Sequence, residues 1–267
     1  MKGKSYSLIT GASTGIGRSI AMYCGSRGMN LILVSLPGEG LAEVAREIEA
    51  KFNVSTRCFE SDLTQTDAPQ NLFRWTESEG LEVSMLVNNA GMGGICPFAE
   101  TDLRYIDERI LLNVRASVVL TRLYLPVLMR QSNAFILFTG SLAGFYPIPF
   151  KSLYSSSKAF LLTFSRSIRY ELKGSGVKVS ILCPNGVRTN ESATERINKH
   201  LGSNLFMGLT ADDVARMGIE GMLKGKAVIV PGLMNRMLLV LRAVLPVPVQ
   251  QRMLESFFRK ELTEKQD

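Results

Sequence analysis

Tyr154 and Lys158 are four positions apart, and Ser141 precedes the tyrosine by thirteen. On a helix, residues i and i+4 lie one above the other, so this phenol and ammonium can meet on one face. The surrounding pattern is helical: Leu153, Phe160, Leu161, Phe164, Ile168 and Leu172 make an apolar stripe beside the polar pair. A free phenol titrates near pH 10, about three units too high for a base at neutrality. A lysine held close favours the phenolate and brings the group into general acid–base range. Ser141 can then hold a carbonyl oxygen against the phenol. A tyrosine and lysine at this spacing also occur by chance on solvated helix faces, so their meaning depends on what the rest of the chain brings to them.

Tyr6 to Thr10 reads as a strand that runs into Gly11-Ala12-Ser13-Thr14-Gly15-Ile16-Gly17, followed by a helix with Ile16, Ile20 and Cys24 on one face. A strand, a glycine-rich turn and a helix N-terminus form an anion site. The glycines allow close backbone approach to a pyrophosphate, and the unpaired N–H groups and helix dipole favour its charge. The same glycines can also serve a purely structural turn. Leu31 to Ser35 is a second, buried strand, followed after Pro37-Gly38 by a helix with Leu41, Val44, Ala45 and Ile48 on one face. Val54 to Phe59 is a third strand, leading to Asp62 and Leu63. Asp62 can accept from an adenine amino group or cap the turn that follows.

Ser84 to Val87 is a fourth strand, ending in Asn88-Asn89-Ala90-Gly91, where two amides and a glycine suit both turn chemistry and ligand contact. The helix after Thr101 carries Asn113 inside the apolar run Ile110-Leu-Leu-Asn-Val. A buried asparagine needs partners, supplied by the protein itself or by a water ordered behind Lys158. Ala134 to Thr139 delivers Ser141. Val177 to Cys183 ends in Pro184-Asn185-Gly186-Val187-Arg188-Thr189, a polar segment from Asn190 to Asn204 reads as a lid, and Thr210-Ala-Asp-Asp213 starts a capped helix. Ala227 to Val230 is the last strand. Strands alternating with helices specify an α/β fold, a doubly wound parallel sheet of the Rossmann type, over residues 1–231. A helical extension covers residues 232–267. In such sheets ligands bind beyond the carboxyl ends of the strands, where all of these motifs fall.

The chain closely resembles the short-chain dehydrogenase/reductase family over roughly residues 4–231. The likeness rests on Thr10-Gly11-x-x-x-Gly15-x-Gly17, Asn88-Asn89-Ala90-Gly91, Asn113, Ser141, Tyr154-x-x-x-Lys158 and Pro184-x-x-Val187-x-Thr189, in family order and spacing. The resemblance implies NAD(P)-dependent interconversion of carbonyls and alcohols. It implies that Tyr154 is the acid–base, that Lys158 lowers its pKa and holds the nicotinamide ribose, and that Ser141 orients the substrate oxygen. Asn113 would complete a proton relay to water, with Val187 and Thr189 beside the nicotinamide. Hydride chemistry belongs to the cofactor, so the protein supplies orientation and electrostatics. One position departs: the family usually has Pro-Gly where this chain has Pro184-Asn185, and asparagine is the next-best residue at positive φ. A weaker likeness, in Gly28 to Ser35 and the helix ending Glu47-Ile-Glu-Ala-Lys-Phe, is to the 17β-hydroxysteroid dehydrogenase and long-chain 3-oxoacyl-CoA reductase subgroup. That subgroup usually has arginine where Leu36 stands.

An acidic residue at the end of the second strand would bind the ribose 2′-OH of NAD and repel a 2′-phosphate. Ser35 stands there instead, with no carboxylate before Glu39. Ser13 and Ser35 can donate to a phosphate, which favours NADP over NAD. The margin is modest because Thr14 and Leu36 occupy the usual arginine positions. Phe145 to Phe150 and Gly93 to Phe98 are expected either to line an apolar substrate pocket or to pack plainly. The competing functional class is a non-catalytic nucleotide sensor or scaffold, which has no need of a tuned phenol. A sugar-nucleotide epimerase on the related longer fold is disfavoured by chain length and glycine spacing.

The composition sets outer limits. Net charge is +7, but the basic residues form no run, so nucleic-acid binding is not expected. The four cysteines form no pair or metal-binding spacing, and His200 is the sole histidine, so neither a metal site nor a Ser-His-Asp triad is expected. Reduced thiols and the absence of a recognisable signal peptide point to the cytoplasm. In the extension, Met234, Met237, Leu238, Leu241, Val244 and Leu245 gather on one side of a helix that Pro246 and Pro248 break. Met253, Leu254, Phe257 and Phe258 then oppose Arg252, Arg259 and Lys260. These helices are expected to cover the substrate pocket or a subunit interface, or to make peripheral contact with a membrane. The family is commonly dimeric or tetrameric, so a homodimer or homotetramer is expected.

Overall fold

The computed structural model describes residues 5–187 and 209–263. The expected Asn190–Asn204 lid and Thr189 lie outside them. Seven strands form one parallel sheet: β1 (Ser5–Thr10), β2 (Asn30–Ser35), β3 (Thr56–Glu60), β4 (Glu82–Asn88), β5 (Ala134–Thr139), β6 (Val177–Leu182) and β7 (Val228–Ile229). Their order is β3-β2-β1-β4-β5-β6-β7, so the winding reverses between β1 and β4. A crevice opens at such a reversal, beyond the strand carboxyl ends. The apolar runs follow from burial on both faces: every residue of β5 is buried, as are the last five of β2.

The sheet separates two cores. On one side Leu8, Leu86, Ile136 and Phe138 meet Leu72, Tyr124, Leu128 and Leu161. These come from α3 (Ala68–Ser78), α5 (Ser117–Met129) and α6 (Ser152–Glu171). On the other side Ile9, Leu33, Val87 and Leu137 meet Ile20, Cys24, Ile48, Val214 and Ile219. Here the helices are α1 (Gly15–Ser26), α2 (Leu41–Phe52) and α7 (Ala211–Leu223). Thr210 caps α7 as its sequence predicts, accepting from the Asp213 N–H at 3.1 Å. Of the stripe expected on α6, Leu161 is buried, but Phe160 turns outward and stacks on Phe164.

The helix after Thr101 is not uniform. α4 (Leu103–Ile110) gives way to a π-helical turn, Leu111–Ala116, before α5 begins. Such widened turns re-aim a side chain, and this one carries Asn113. In the extension, α8 (Leu233–Val244) and α9 (Val247–Thr263) are separated at Leu245-Pro246. Pro248 does not break the second helix but sits in its first turn, where a missing N–H costs nothing.

Candidate active site

A cleft of about 600 Å³ opens at the strand reversal, and its floor is the turn after β1. Gly11, Ser13, Thr14, Gly15, Ile16 and Gly17 all line it. Gly11 and Gly15 have φ of 65° and 54°. A Cβ on Gly17 would lie 1.8 Å from the Gly11 carbonyl oxygen, so helix and turn touch through bare backbone. Thr14 begins α1 without a side-chain cap, and the first turn holds no acidic residue. Uncapped N–H groups, a helix dipole and a glycine cradle fit a dinucleotide pyrophosphate.

The Asn88–Gly91 turn forms the facing wall. Thr10 Oγ1 accepts from the N–H groups of Asn89 (2.9 Å) and Ala90 (3.0 Å), while Asn89 Nδ2 donates to the Thr10 (2.9 Å) and Gly11 (3.2 Å) carbonyls. Thr139 Oγ1 donates to Asn89 Oδ1 at 3.1 Å. One amide therefore ties together the ends of β1, β4 and β5, and Asn89, Ala90 and Gly91 all face the cleft. Asn113 does not line it. Fully buried, its Oδ1 accepts from the Met92 N–H (2.8 Å), and its Nδ2 donates to the Met92 carbonyl (2.9 Å) and Ser157 Oγ (3.3 Å). It clamps the backbone just past Gly91. A Cβ on Gly91 would lie 3.0 Å from Asn113 Oδ1 and 3.4 Å from Lys158 Nζ, so the two side chains approach the same point.

Ser141, Tyr154 and Lys158 meet in the cleft, as their spacing predicts. The 3₁₀ turn Leu142–Phe145 lies so close on α6 that a Cβ on Gly144 would come within 2.8 Å of Lys158 backbone atoms. That approach sets Ser141 beside Tyr154. Ser141 Oγ accepts from the Ala143 N–H at 3.1 Å. Burial raises the Tyr154 pKa, and a hydrogen bond with Ser141 draws it part of the way back. Lys158, 5% exposed, donates to the Thr139 carbonyl at 2.7 Å, and burial lowers its pKa to about 8. Its Nζ lies 5.8 Å from the Tyr154 ring centroid. The electrostatics therefore differ from the expectation of a phenol lowered by its lysine. The lysine satisfies a carbonyl rather than the phenol oxygen, and desolvation dominates both groups.

At the opposite end of the cleft, Ser35, Asp62 and Leu63 line the wall. Asp62 plays the capping role. Burial opposes its charge, but hydrogen bonds from the Thr64 N–H (2.9 Å) and hydroxyl (2.8 Å) and from Gln65 (3.3 Å) outweigh that, leaving the carboxyl below its ordinary pKa. Ser35 Oγ donates to the Leu36 carbonyl at 3.0 Å. Glu39 also reaches this wall, because Pro37-Gly38 folds the chain back. Near the catalytic groups, Pro184, Asn185, Gly186 and Val187 line the cleft. Asn185 does not occupy positive φ. Among described non-glycine residues only Asn53 and Phe150 do, so the turn needs no glycine at 185. The Asn185 side chain instead donates to Asn235 Oδ1 at 3.2 Å, a link to the extension that local sequence cannot reveal.

The two apolar loops adjoin through the Cys96 N–H, which donates to the Phe150 carbonyl at 2.8 Å. From the first loop Gly93 reaches the cleft beside Met92 and Leu112. No residue of Phe145–Phe150 is among the described lining residues. Phe145 and Tyr146 pack on the core, and Ile148 is buried. The sequence places Thr10 in the glycine motif and Thr139 at a strand end but assigns neither a role, although each orients the site through hydrogen bonds. A hydroxyl residue ending an apolar strand at the ligand edge is the signal that would have found them.

A sequence model of short chain dehydrogenases matches residues 6–200. The chain belongs to the short-chain dehydrogenase/reductase family. Its relatives include a very-long-chain 3-oxoacyl-CoA reductase of Anas platyrhynchos, 36% identical over 192 residues. That match covers 70% of this chain and 61% of the relative, so this short-chain dehydrogenase spans about three-fifths of it. Among solved structures it is similar to a short-chain dehydrogenase from Sphingobium yanoikuyae in complex with NADPH. The TM-score is 0.76 at 26% identity, covering 91% of this chain and 96% of the other. A family member from Burkholderia phymatum in complex with NAD gives a TM-score of 0.74 at 25% identity, covering 85% and 88%. Membership accounts for the nicotinamide-nucleotide cradle, and solved relatives hold either nucleotide in such folds.

Proposed function

We propose that this protein is an NAD(P)-dependent reductase of a ketone on a lipid-like molecule, of the 3-oxoacyl thioester or steroid class. The observation that carries the reading is the convergence of Ser141, Tyr154 and Lys158 at the strand reversal, opposite an uncapped glycine cradle. The glycine turn and α1 N-terminus bind the pyrophosphate, and Lys158, with Val187, holds the nicotinamide end. When bound, the nicotinamide supplies the hydride. Ser141 Oγ donates to the ketone oxygen and holds it at the phenol. Tyr154, kept protonated by burial, gives its proton to that oxygen as it gains negative charge, which is a general acid's role. Asn113 fixes Met92 and Gly91 as the wall behind Lys158, and its part in a proton relay rests on the family likeness. The names of the relatives support an acyl substrate.

The cofactor is proposed to be NADP(H) by a narrow margin. Ser13 and Ser35 offer hydroxyls, whereas Glu39 opposes a 2′-phosphate. Four free thiols, at Cys24, Cys58, Cys96 and Cys183, support a reducing, cytoplasmic setting, and family habit supports a homodimer or homotetramer. A sensor or scaffold is disfavoured because the phenol, hydroxyl and buried ammonium are all assembled. Oxidation of NADPH and NADH is to be followed against a panel of 3-oxoacyl, steroid and aromatic ketones. Tyr154→Phe is expected to lower turnover at least about 10²-fold on every active substrate while retaining nucleotide binding. Full turnover by this variant refutes the mechanism.

A further inference from the structure

The extension presents opposite faces to different neighbours. The inner face of α8 docks on the catalytic domain: Leu238 and Leu239 pack on the core, and the Tyr146 hydroxyl donates to the Leu238 carbonyl at 3.0 Å. Arg242 lies over the Tyr146 ring, and Asn235 meets Asn185. The outer face is as apolar as the inner one. Leu233, Met237, Val240, Leu241 and Val244, spaced i, i+4, i+7, i+8 and i+11, are between 48% and 74% exposed. On α9, Val249, Met253 and Phe257 repeat the arrangement at 37% to 61% exposure. Docking is already satisfied by the inner face, so it does not explain the outer stripe. A contiguous exposed apolar stripe marks a contact surface.

Charge selects the partner. Beside the outer stripes Arg236 and Arg252 are exposed, three positions after Leu233 and Val249, whereas Arg242 faces Tyr146 on the docked side, Lys224 pairs with Glu220, and Glu255 pairs with Arg259. A second copy of the chain would bring the same cations against these in an isologous contact, and like charges would oppose it. An anionic lipid surface accepts both features, because apolar side chains enter the acyl boundary and flanking arginines stay at the headgroups. We infer that the outer faces of α8 and α9 form a peripheral docking surface for an anionic bilayer, independently of the reaction catalysed at the cleft.

The full chain is to be sedimented with vesicles of phosphatidylcholine alone and with 30 mol% phosphatidylserine added, at low and at high salt. Binding to the anionic vesicles at low salt is expected to exceed that to the neutral ones at least about tenfold, and to fall by a similar factor at high salt. Val240→Glu with Val244→Glu, which replaces exposed side chains, is expected to abolish binding and leave ketone reduction in solution unchanged. Wild-type protein that stays in the supernatant at low salt overturns the proposal. So does a self-association, seen by light scattering, that the double variant removes without any vesicle binding. Equal binding to both vesicle types overturns the charge argument.

Discussion

Burial of Lys158 leaves its ammonium with a backbone acceptor, the Thr139 carbonyl, and lowers its pKa to about 8. The sign is that of a cation penalised in the fold, so its charge is lost as pH rises through about 8 rather than near 10.5. Because kcat/KM reports the free enzyme, the profile for the nucleotide is expected to fall with an apparent pKa near 8. Lys158→Met should give a low profile without that limb. A wild-type limb near 10 contradicts the assignment. The same depression makes Lys158 add stability as pH climbs from about 8 towards 10.5. Cys24 and Cys183, pushed by burial up to about 12, act in the opposite direction above pH 9. Glu39 is the other residue with a consequence of its own. Glu39 lines the same cleft as Ser35, so on the proposed NADP(H) binding Glu39→Gln removes a charge that would repel a 2′-phosphate. Fluorescence titration is expected to show NADPH binding tightened about three- to tenfold over wild type with NADH unchanged or weakened, as for a partly screened charge pair. NADH binding more tightly than NADPH in the wild type refutes the proposed preference.

At the scale of elements, the catalytic geometry depends on how closely the 3₁₀ turn after β5 lies on α6. Gly144 permits this, because any Cβ there meets the Lys158 carbonyl at 2.8 Å. Gly144→Ala is expected to push the turn outward, move Ser141 from Tyr154, and lower ketone turnover at least about tenfold. Nucleotide binding should survive, since the glycine cradle lies elsewhere. Loss of both together would mean that the whole edge had moved. The loop leading into α6 carries its own strain: Phe150 has φ of 62°, unusual for a bulky residue and of order 1–3 kcal/mol in cost. The Cys96 N–H holds its carbonyl and Arg259 of α9 lies over its ring, so contacts from two other segments maintain the conformation.

Across the whole molecule, the extension is attached at several points around the catalytic cleft. Asn235 meets Asn185, Leu238 meets Tyr146, and Glu261 pairs with Lys151 at 3.5 Å, three residues before Tyr154. The lysine ammonium also lies 4.5 Å from the Phe258 ring centroid. Glu261 is buried and Lys151 largely so, which makes this pair more sensitive to loss of one partner than the exposed helix pairs elsewhere. The extension therefore touches the segment between Ser141 and Tyr154 and the turn after β6 through direct contacts. The segment Leu103–Met129 is long and apolar enough to cross a bilayer by length and composition. Here its Leu120, Tyr124 and Leu128 lie against the sheet as a core helix. The apolar residues exposed along α8 and α9 are not used in this way.

Strand positions, the glycine cradle and the shared helix face of Tyr154 and Lys158 were legible in the sequence because each follows from a local period or turn chemistry. A short apolar run bounded by turn residues suits an inner strand buried on both faces, and residues four apart on a helix share a face. The Asn88–Gly91 turn and the Thr210 cap belong to the same class. Tertiary structure alone decided what those residues experience. Lys158 turns to the Thr139 carbonyl, so burial, not the lysine, dominates the phenol. Glu39, four residues beyond the strand end and past Pro37-Gly38, returns to the cleft. Asn185 occupies an ordinary backbone conformation and reaches for a helix fifty residues away. Of the two readings open for Phe145 to Phe150, packing is the one seen for Phe145, Tyr146 and Ile148. Both faces of α8 are apolar, so its period could not say which one docks. That choice rests on contacts with Tyr146 and Asn185, which are distant in sequence and are brought together only by the folded sheet.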